Sequence, residues 1–480
     1  MIPPGAAPYS VGNAPLAAGD WPQAGGGQRM RLRLPRTALS MLLAPFLCVL
    51  LVAATEHVLE PEETGSSQAL PQPDDLAIRA FGPADYGSAT KAYADEIALG
   101  RERVNKAPGE WLREETLAAA LLSDFSLSGN YATLSEAGSW LRNARNLAPE
   151  GSGPWLREAA FAMVNHDLAG AEAALAGAER VAVPNPASDQ AEIAAMRGDI
   201  ALYRGDMDAA ERFYAIAEGT SASSTAFRRA ALARSQGRFD AAMALFAKAA
   251  RDGGGTPLSQ ARIALQLGIT ESARGRYDAA RNWYDSALRL FPDYPLARLY
   301  RAETFALAGD TKTAIAEMEA VARREQWPDA MDALAMLYRT QGDRVRSRQW
   351  SARAGALWQQ RLQLAPSAAR AHAAEHELVF GDPQRALALA RQDVAMRPHG
   401  ASRILLANAL LATGATDEAL TQLRKAEASG WRSAPLYASI AEAALLLGDV
   451  ATAEQATLHA EALNPEIFQP SRTVVWFGHG

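Results

Sequence analysis

A glycine followed five positions later by an alanine recurs along this chain at a near-constant interval, and that recurrence restricts the possible folds more than any other feature. The instances are Gly205 with Ala210, Gly237 with Ala242, Gly275 with Ala280, Gly309 with Ala314, Gly381 with Ala386, Gly414 with Ala419 and Gly448 with Ala453; Gly342 keeps its place but is followed by Ser347. Successive glycines are 32, 38, 34, 33, 39, 33 and 34 residues apart. A glycine that ends one helix in the left-handed conformation, followed by an aspartate that caps the next, predicts a helical hairpin. Aspartate follows at 206, 310, 343, 382 and 449. The alanine is expected where the first helix crosses the second, where a larger side chain would push the pair apart. A second small residue seven positions on lies on the same face: Ala217, Ala249, Ala287, Ala426 and Ala460. Pro292, Pro398 and Pro465 close their units, because proline cannot continue a helix.

The best copy runs from Ala261 to Pro292, with Leu267-Gly268 on the first helix, Gly275-Arg276-Tyr277 at the turn, then Ala280, Tyr284, Ala287 and Pro292. On those residues the chain resembles the tetratricopeptide repeat family. Earlier copies are worn. His166-Asp167 opens one, with Ala171 and Ala178, and Gly129-Asn130-Tyr131 opens another, with Ala137, Ala144 and Pro149. A weaker helix is expected between about Ser88 and Asn105. The resemblance covers about Leu117 to Pro465 and implies an all-α fold, a right-handed superhelical α-solenoid of about nine to ten helix pairs. Composition agrees: 49% of residues are apolar, and alternating β-type runs are absent from the body. Two places break the regularity. The helix after Gly342 runs on to Pro366, about two turns too long, and Asp252 to Pro257 reads as a joint between repeats.

Outside the repeats, residues 1–36 are Gly/Pro/Ala-rich and end in a basic flank of Arg31, Arg33 and Arg36. Residues 37–54, TALSMLLAPFLCVLLVAA, carry no charge, and basic residues before such a run are the layout of a signal peptide or signal-anchor helix. The charge bias places everything after Ala54 across a membrane, so an exported chain is expected, periplasmic or held at the inner membrane. Val52-Ala53-Ala54 offers a cleavage site. Residues 55–84 are acidic and Pro/Ser-rich and read as an extended linker, the solenoid spans 85–465, and 466–480 form a tail with the β-like stretch Thr473 to Phe477. Cys48 is the single cysteine, which excludes an intrachain disulfide or a cysteine-ligated cluster. A net charge of −6 argues against a nucleic-acid partner.

By the family resemblance, a protein or peptide partner binds in the concave groove lined by the first helix of each pair. The groove-facing positions include Glu192, Asp199, Arg234, Arg262, Asp332, Arg339, Glu375, Asn408 and Glu442. They mix both signs of charge, and only Asn408 matches the residue set with which some family members grip a carboxylate tail. The chain reads as a non-catalytic scaffold without a cofactor; a structural subunit of an envelope complex is the alternative. One catalytic pattern stands apart. His372, Glu375 and His376 form H-x-x-E-H, the inverted zinc-peptidase signature, with both imidazoles one helical turn apart. It falls within the first helix of an ordinary repeat, and no third ligand stands out. Trp140, Trp155, Trp283, Trp350 and Trp358 lie at helical spacing and are expected to fill gaps between helices.

Overall fold

The computed structural model describes residues 70–77, 81–220, 225–252 and 255–469. Among them every regular element is helical. A short 3-10 turn at Pro73–Asp75 precedes 21 α-helices. The first, Tyr86–Lys106, stands alone, and the rest form ten hairpins, from Trp111–Ser128 with Tyr131–Leu147 to Ala434–Leu446 with Val450–Leu463. Each hairpin packs on the next, which makes the body an α-solenoid. The basic flank, the apolar run at 37–54 and the stretch from Thr473 to Phe477 lie outside the described residues. Among the described residues no helix is long and apolar enough to cross a membrane.

The turns follow the expected chemistry. Seven turn glycines, Gly205, Gly237, Gly275, Gly309, Gly342, Gly414 and Gly448, have φ between 70° and 85°. Asp206, Asp310, Asp343 and Asp449 each accept a hydrogen bond from the backbone N–H three residues on. Gly381 departs from the pattern. Its φ is −113°, and the Glu377 carboxylate reaches over it to accept from the Asp382 N–H at 3.1 Å. In the worn copy His166 itself takes φ 57°, an unusual conformation for a residue with a Cβ.

Helix pairing depends on backbone closeness. Ala210, Ala242, Ala280, Ala314, Ala386 and Ala419 are all fully buried. In two pairs a glycine on the first helix receives a tyrosine ring from the second: a Cβ at Gly198 would overlap Tyr214, and one at Gly268 would overlap Tyr284. Trp283, Trp350 and Trp358 are buried between helices as expected. The overlong helix is Arg344–Leu364, of 21 residues.

The solenoid coils tightly enough for its turns to touch. Trp327 donates its indole N–H to the Ser128 carbonyl at 2.7 Å, and the Arg262 guanidinium donates to the Ser126 carbonyl and hydroxyl at 3.0 and 2.7 Å. The Tyr86 N–H donates to the Pro292 carbonyl at 3.1 Å, the Arg432 N–H to the Ser235 carbonyl at 2.8 Å, and Asn464 to the Tyr277 hydroxyl at 3.1 Å. Arg361, on the overlong helix, lies over the Tyr131 ring. Most of these partners are about 190–240 residues apart, or six to seven repeats per turn of the coil. The ends join in as well. Residues 70–77, expected as part of an extended linker, dock on the helix Tyr277–Leu290: Leu76 is buried, and the Pro73 carbonyl accepts from Ser286 at 3.0 Å. Ile467, expected in the tail, is buried against the last helix pairs.

Alanine normally stabilises a helix interior over glycine by roughly 0.5–1 kcal/mol. At Gly268 the sign is expected to reverse. Gly268→Ala should destabilise by about 1–3 kcal/mol, because the Tyr284 ring must move. Gly219→Ala, in the helix Met207–Thr220 with open space beside it, should be neutral or stabilising. Urea unfolding followed by circular dichroism separates the two; equal responses would show that the glycine–tyrosine contact does not limit the pair.

Candidate functional site

Coiling onto itself encloses the first-helix faces and leaves a cavity of about 220 Å³ along the inside of the coil. Its walls come from distant parts of the chain: Ser126 and Tyr131 from the first hairpin, His166 from the second, and His372, Arg397 and Trp431 from later ones. The walls are largely apolar and aromatic, with titratable side chains gathered at two neighbouring corners.

The first corner is built on the helices Pro328–Thr340, Arg344–Leu364 and Pro366–Phe380. The His372 ring stacks on Trp358 with centroids 5.5 Å apart, and its Nδ1 lies 3.7 Å from both Asp329 Oδ1 and Glu375 Oε2. Arg361 adds a cation 3.6 Å from Asp329. Burial alone would lower the His372 pKa, but Glu375 and Asp329 hold it above the usual value. Burial raises the Glu375 pKa, with His372 opposing. One turn further on, His376 meets Asp332 through Nδ1 at 2.7 Å, and Asp332 also accepts from the Trp358 indole at 2.9 Å. The two imidazoles of the H-x-x-E-H pattern are therefore directed at different carboxylates. Among the described residues no group of three or more His, Cys, Asp or Glu is arranged to hold a metal ion.

The second corner is the junction after the helix Pro383–Met396. Arg397 donates Nε–H to Asp393 at 2.9 Å, and one of its Nη atoms lies 3.3 Å from His166 Nε2, across the coil. Ser402 donates to the other Asp393 oxygen. Because arginine can only donate, His166 Nε2 accepts and its proton sits on Nδ1. His399 Nδ1 lies 3.1 Å from the Arg397 carbonyl, and its ring meets Tyr203 and Trp431 edge-on. Burial, reinforced by the Arg397 charge, pushes His166 well below its ordinary pKa and His399 down to about 4.

Of the nine positions expected to face a groove, Arg234 and Glu375 line the cavity, and the nine do not form an open strip. Asp199, Arg234, Arg262, Asp332, Glu375 and Asn408 are buried. Arg228 holds both Glu192, at 2.7 Å, and Asp199, at 2.9 Å. Arg234 donates to the Gln266 carbonyl, Arg339 to the Val379 carbonyl, and Ser439 donates to Asn408. Glu442 is half-buried. The physical reason is the packing of successive hairpins, which brings first-helix side chains within hydrogen-bond reach of the next pair, while Arg262 bonds across the coil to Ser126. Sequence reasoning missed Asp329, Arg361, Asp393, Arg397 and His166: Asp329 and Asp393 pair with near neighbours, and Arg361, Arg397 and His166 also meet groups across the coil.

Folding removes the proton-binding capacity of His399, so the unfolded chain binds more protons between its ordinary pKa near 6.5 and about 4. Stability from this residue is full above pH 6.5 and is lost as pH falls to about 4, by up to about 3 kcal/mol. His166 acts in the same direction, while His372 and His376, raised in the fold, add stability at low pH that is lost as pH rises through their folded values. His399→Phe keeps the ring contacts and removes the titration. Its melting temperature should fall less between pH 6.5 and 4 than that of the natural chain. An unchanged slope would show that His399 is not a source of acid sensitivity.

A tetratricopeptide repeat family model matches residues 265–330 and 372–435. No curated protein matches the chain. Among solved structures, a thermophilic tetratricopeptide protein of Thermus thermophilus is 26% identical, covers 38% of this chain and 99% of its own, and overlays with a TM-score of 0.32. A tetratricopeptide repeat protein of Parabacteroides merdae is 17% identical over 52% of this chain and 97% of its own, TM-score 0.33. The P58(IPK) TPR domain is 12% identical over 76% and 97%, TM-score 0.26. The matched segments contain the turns at Gly275, Gly309 and Gly414. The chain is thus similar to the tetratricopeptide repeat over residues 265–330 and 372–435, within an α-solenoid of ten helix pairs between Trp111 and Leu463.

Proposed function

We propose that this chain is a non-catalytic scaffold that holds a protein partner outside the cytoplasm, with residues 37–54 placing it at a membrane. The repeat supports the partner reading, because stacked helix pairs of this family present extended binding surfaces. The observation that carries it further is the end of the solenoid. Terminal repeats ordinarily turn a polar face outward. Here the last pair, Ala434–Leu446 and Val450–Leu463, exposes Leu445, Leu446, Leu447, Val450 and Leu458, each between 39% and 66%. Grouped exposed apolar side chains of this kind mark interaction surfaces. Glu442 sits on the same pair, so the open end of the expected groove and this apolar surface adjoin. Partner contact is accordingly centred on the last helix pair, with the remaining inward positions serving to hold the coil together. The uncharged run behind Arg31, Arg33 and Arg36 supports the location.

Cross-linking of the full chain in its native membrane, read by mass spectrometry, tests the surface. A partner should cross-link to residues 434–463, and the double variant Leu446→Asp with Leu458→Asp should lose it at least about tenfold at unchanged helicity, a difference of roughly 1.4 kcal/mol. A partner retained by that variant would place the contact elsewhere. A phosphatase reporter fused at the C-terminus should be active only if the body lies outside the cytoplasm, and an inactive, stably produced fusion would overturn the location.

A further inference from the structure

The two corners of the internal cavity contain polar groups that the fold buries and does not satisfy. Glu375 is 4% exposed, and its Oε2 makes no hydrogen bond. His372 Nδ1, 3.7 Å away, makes none either; the two are held too far apart to satisfy each other. His166 is 5% exposed, and its Nδ1–H is likewise unmatched, with the Ser367 carbonyl beside it but no completed hydrogen bond. A buried polar atom without a partner costs about 1–3 kcal/mol, and three of them lining one cavity is an unusual concentration.

Their chemistry is complementary in a particular way. Glu375 offers a carboxylate acceptor, reinforced by Asp329, which faces the same His372 nitrogen. Arg397 offers a cation at the other corner, beside His166. The corners are close enough for Arg397 to act on His372 and Asp393 on Glu375. Four arginines and three carboxylates line the cavity, so its formal charge is near balance and a ligand of large net charge is disfavoured. Trp327, Tyr294 and Leu299 supply an apolar wall. A volume of about 220 Å³ is below the roughly 300–1,000 Å³ of drug-sized pockets, which restricts the occupant to a small molecule.

We propose that the cavity is a binding site for a small zwitterion with an apolar side chain, a free amino acid or a very short peptide. Its ammonium group is taken by Glu375 and Asp329, its carboxylate by Arg397, and its side chain by the aromatic wall. The unbonded Glu375 Oε2 is then matched. This site is independent of the partner surface on the last helix pair.

Calorimetric titration of the full chain in mild detergent tests it, with L-phenylalanine, L-leucine and glycyl-phenylalanine as probes. Phenylpropionate lacks the ammonium and phenylalaninamide lacks the carboxylate. At least one zwitterion should bind about tenfold or more tighter than the analogue missing either charge. Glu375→Gln should weaken zwitterion binding about tenfold while leaving phenylpropionate unaffected. Ala401→Leu, which fills space beside the cavity without touching a charge, should abolish binding, and it decides the matter if Glu375→Gln fails to fold. Failure of all three probes to bind at millimolar concentration, equal binding of phenylpropionate, or full binding by Ala401→Leu would overturn the assignment.

Discussion

The interior of this protein exists because two carbonyls at the end of one helix are bonded from the next turn of the coil. Ser126 and Ser128 close the helix Trp111–Ser128, where the last carbonyls of a helix lack intrahelical partners. Arg262 and Trp327, on hairpins more than a hundred residues away, supply the donors. These groups would otherwise be solvated, so the coil gains by closing on them. Closure removes the inner helix faces from solvent, and their polar residues must then find partners on a neighbouring hairpin or go without. The Arg228 pair with Asp199 and Glu192 is the first outcome, and Glu375 is the second.

Closure also explains the contrast between the two His-containing turns. His166 occupies the left-handed position that glycine fills in seven later turns. A glycine there would relieve the backbone but remove a ring that meets Arg397 across the coil. At Gly381 the reverse holds: the glycine is present, yet the Glu377 carboxylate caps the turn and the left-handed conformation is not used. In both cases a side-chain contact has overridden the local preference that defines the repeat elsewhere.

The fold was legible because its determinants are local. Gly275, Ala280 and Tyr284 lie within ten residues of one another and fix a hairpin without reference to the rest of the chain. The capping aspartates and the overlong helix before Pro366 were readable for the same reason. The site was only half legible. The place of Asp332, Glu375 and Asn408 on first helices followed from the repeat, but their burial did not, because it depends on which side chains the neighbouring helices bring to them. Asp329, Arg361 and Arg397 carry no mark in the repeat that separates them from solvated surface charges. The H-x-x-E-H spacing is that of a metal site, but its imidazoles face different carboxylates: His376 meets Asp332, and His372 Nδ1 stands 3.7 Å from Asp329 and Glu375.

The turn glycines show how this architecture can change over evolutionary time. Those at 309, 342, 414 and 448 have open space beside them among the described residues, whereas a Cβ added at Gly205 or Gly237 would lie 3.2 Å from the Pro398 carbonyl or 3.1 Å from Leu463 of the next coil. Loops at the first group are free to lengthen, and those at the second are not. An open solenoid accepts an extra hairpin anywhere, since each unit answers only to its neighbours. Here a hairpin inserted mid-chain would shift Trp327 off Ser128 and Arg432 off Ser235 together. The repeat number is therefore locked by contacts between turns, and variation is left to the loops at the open glycines.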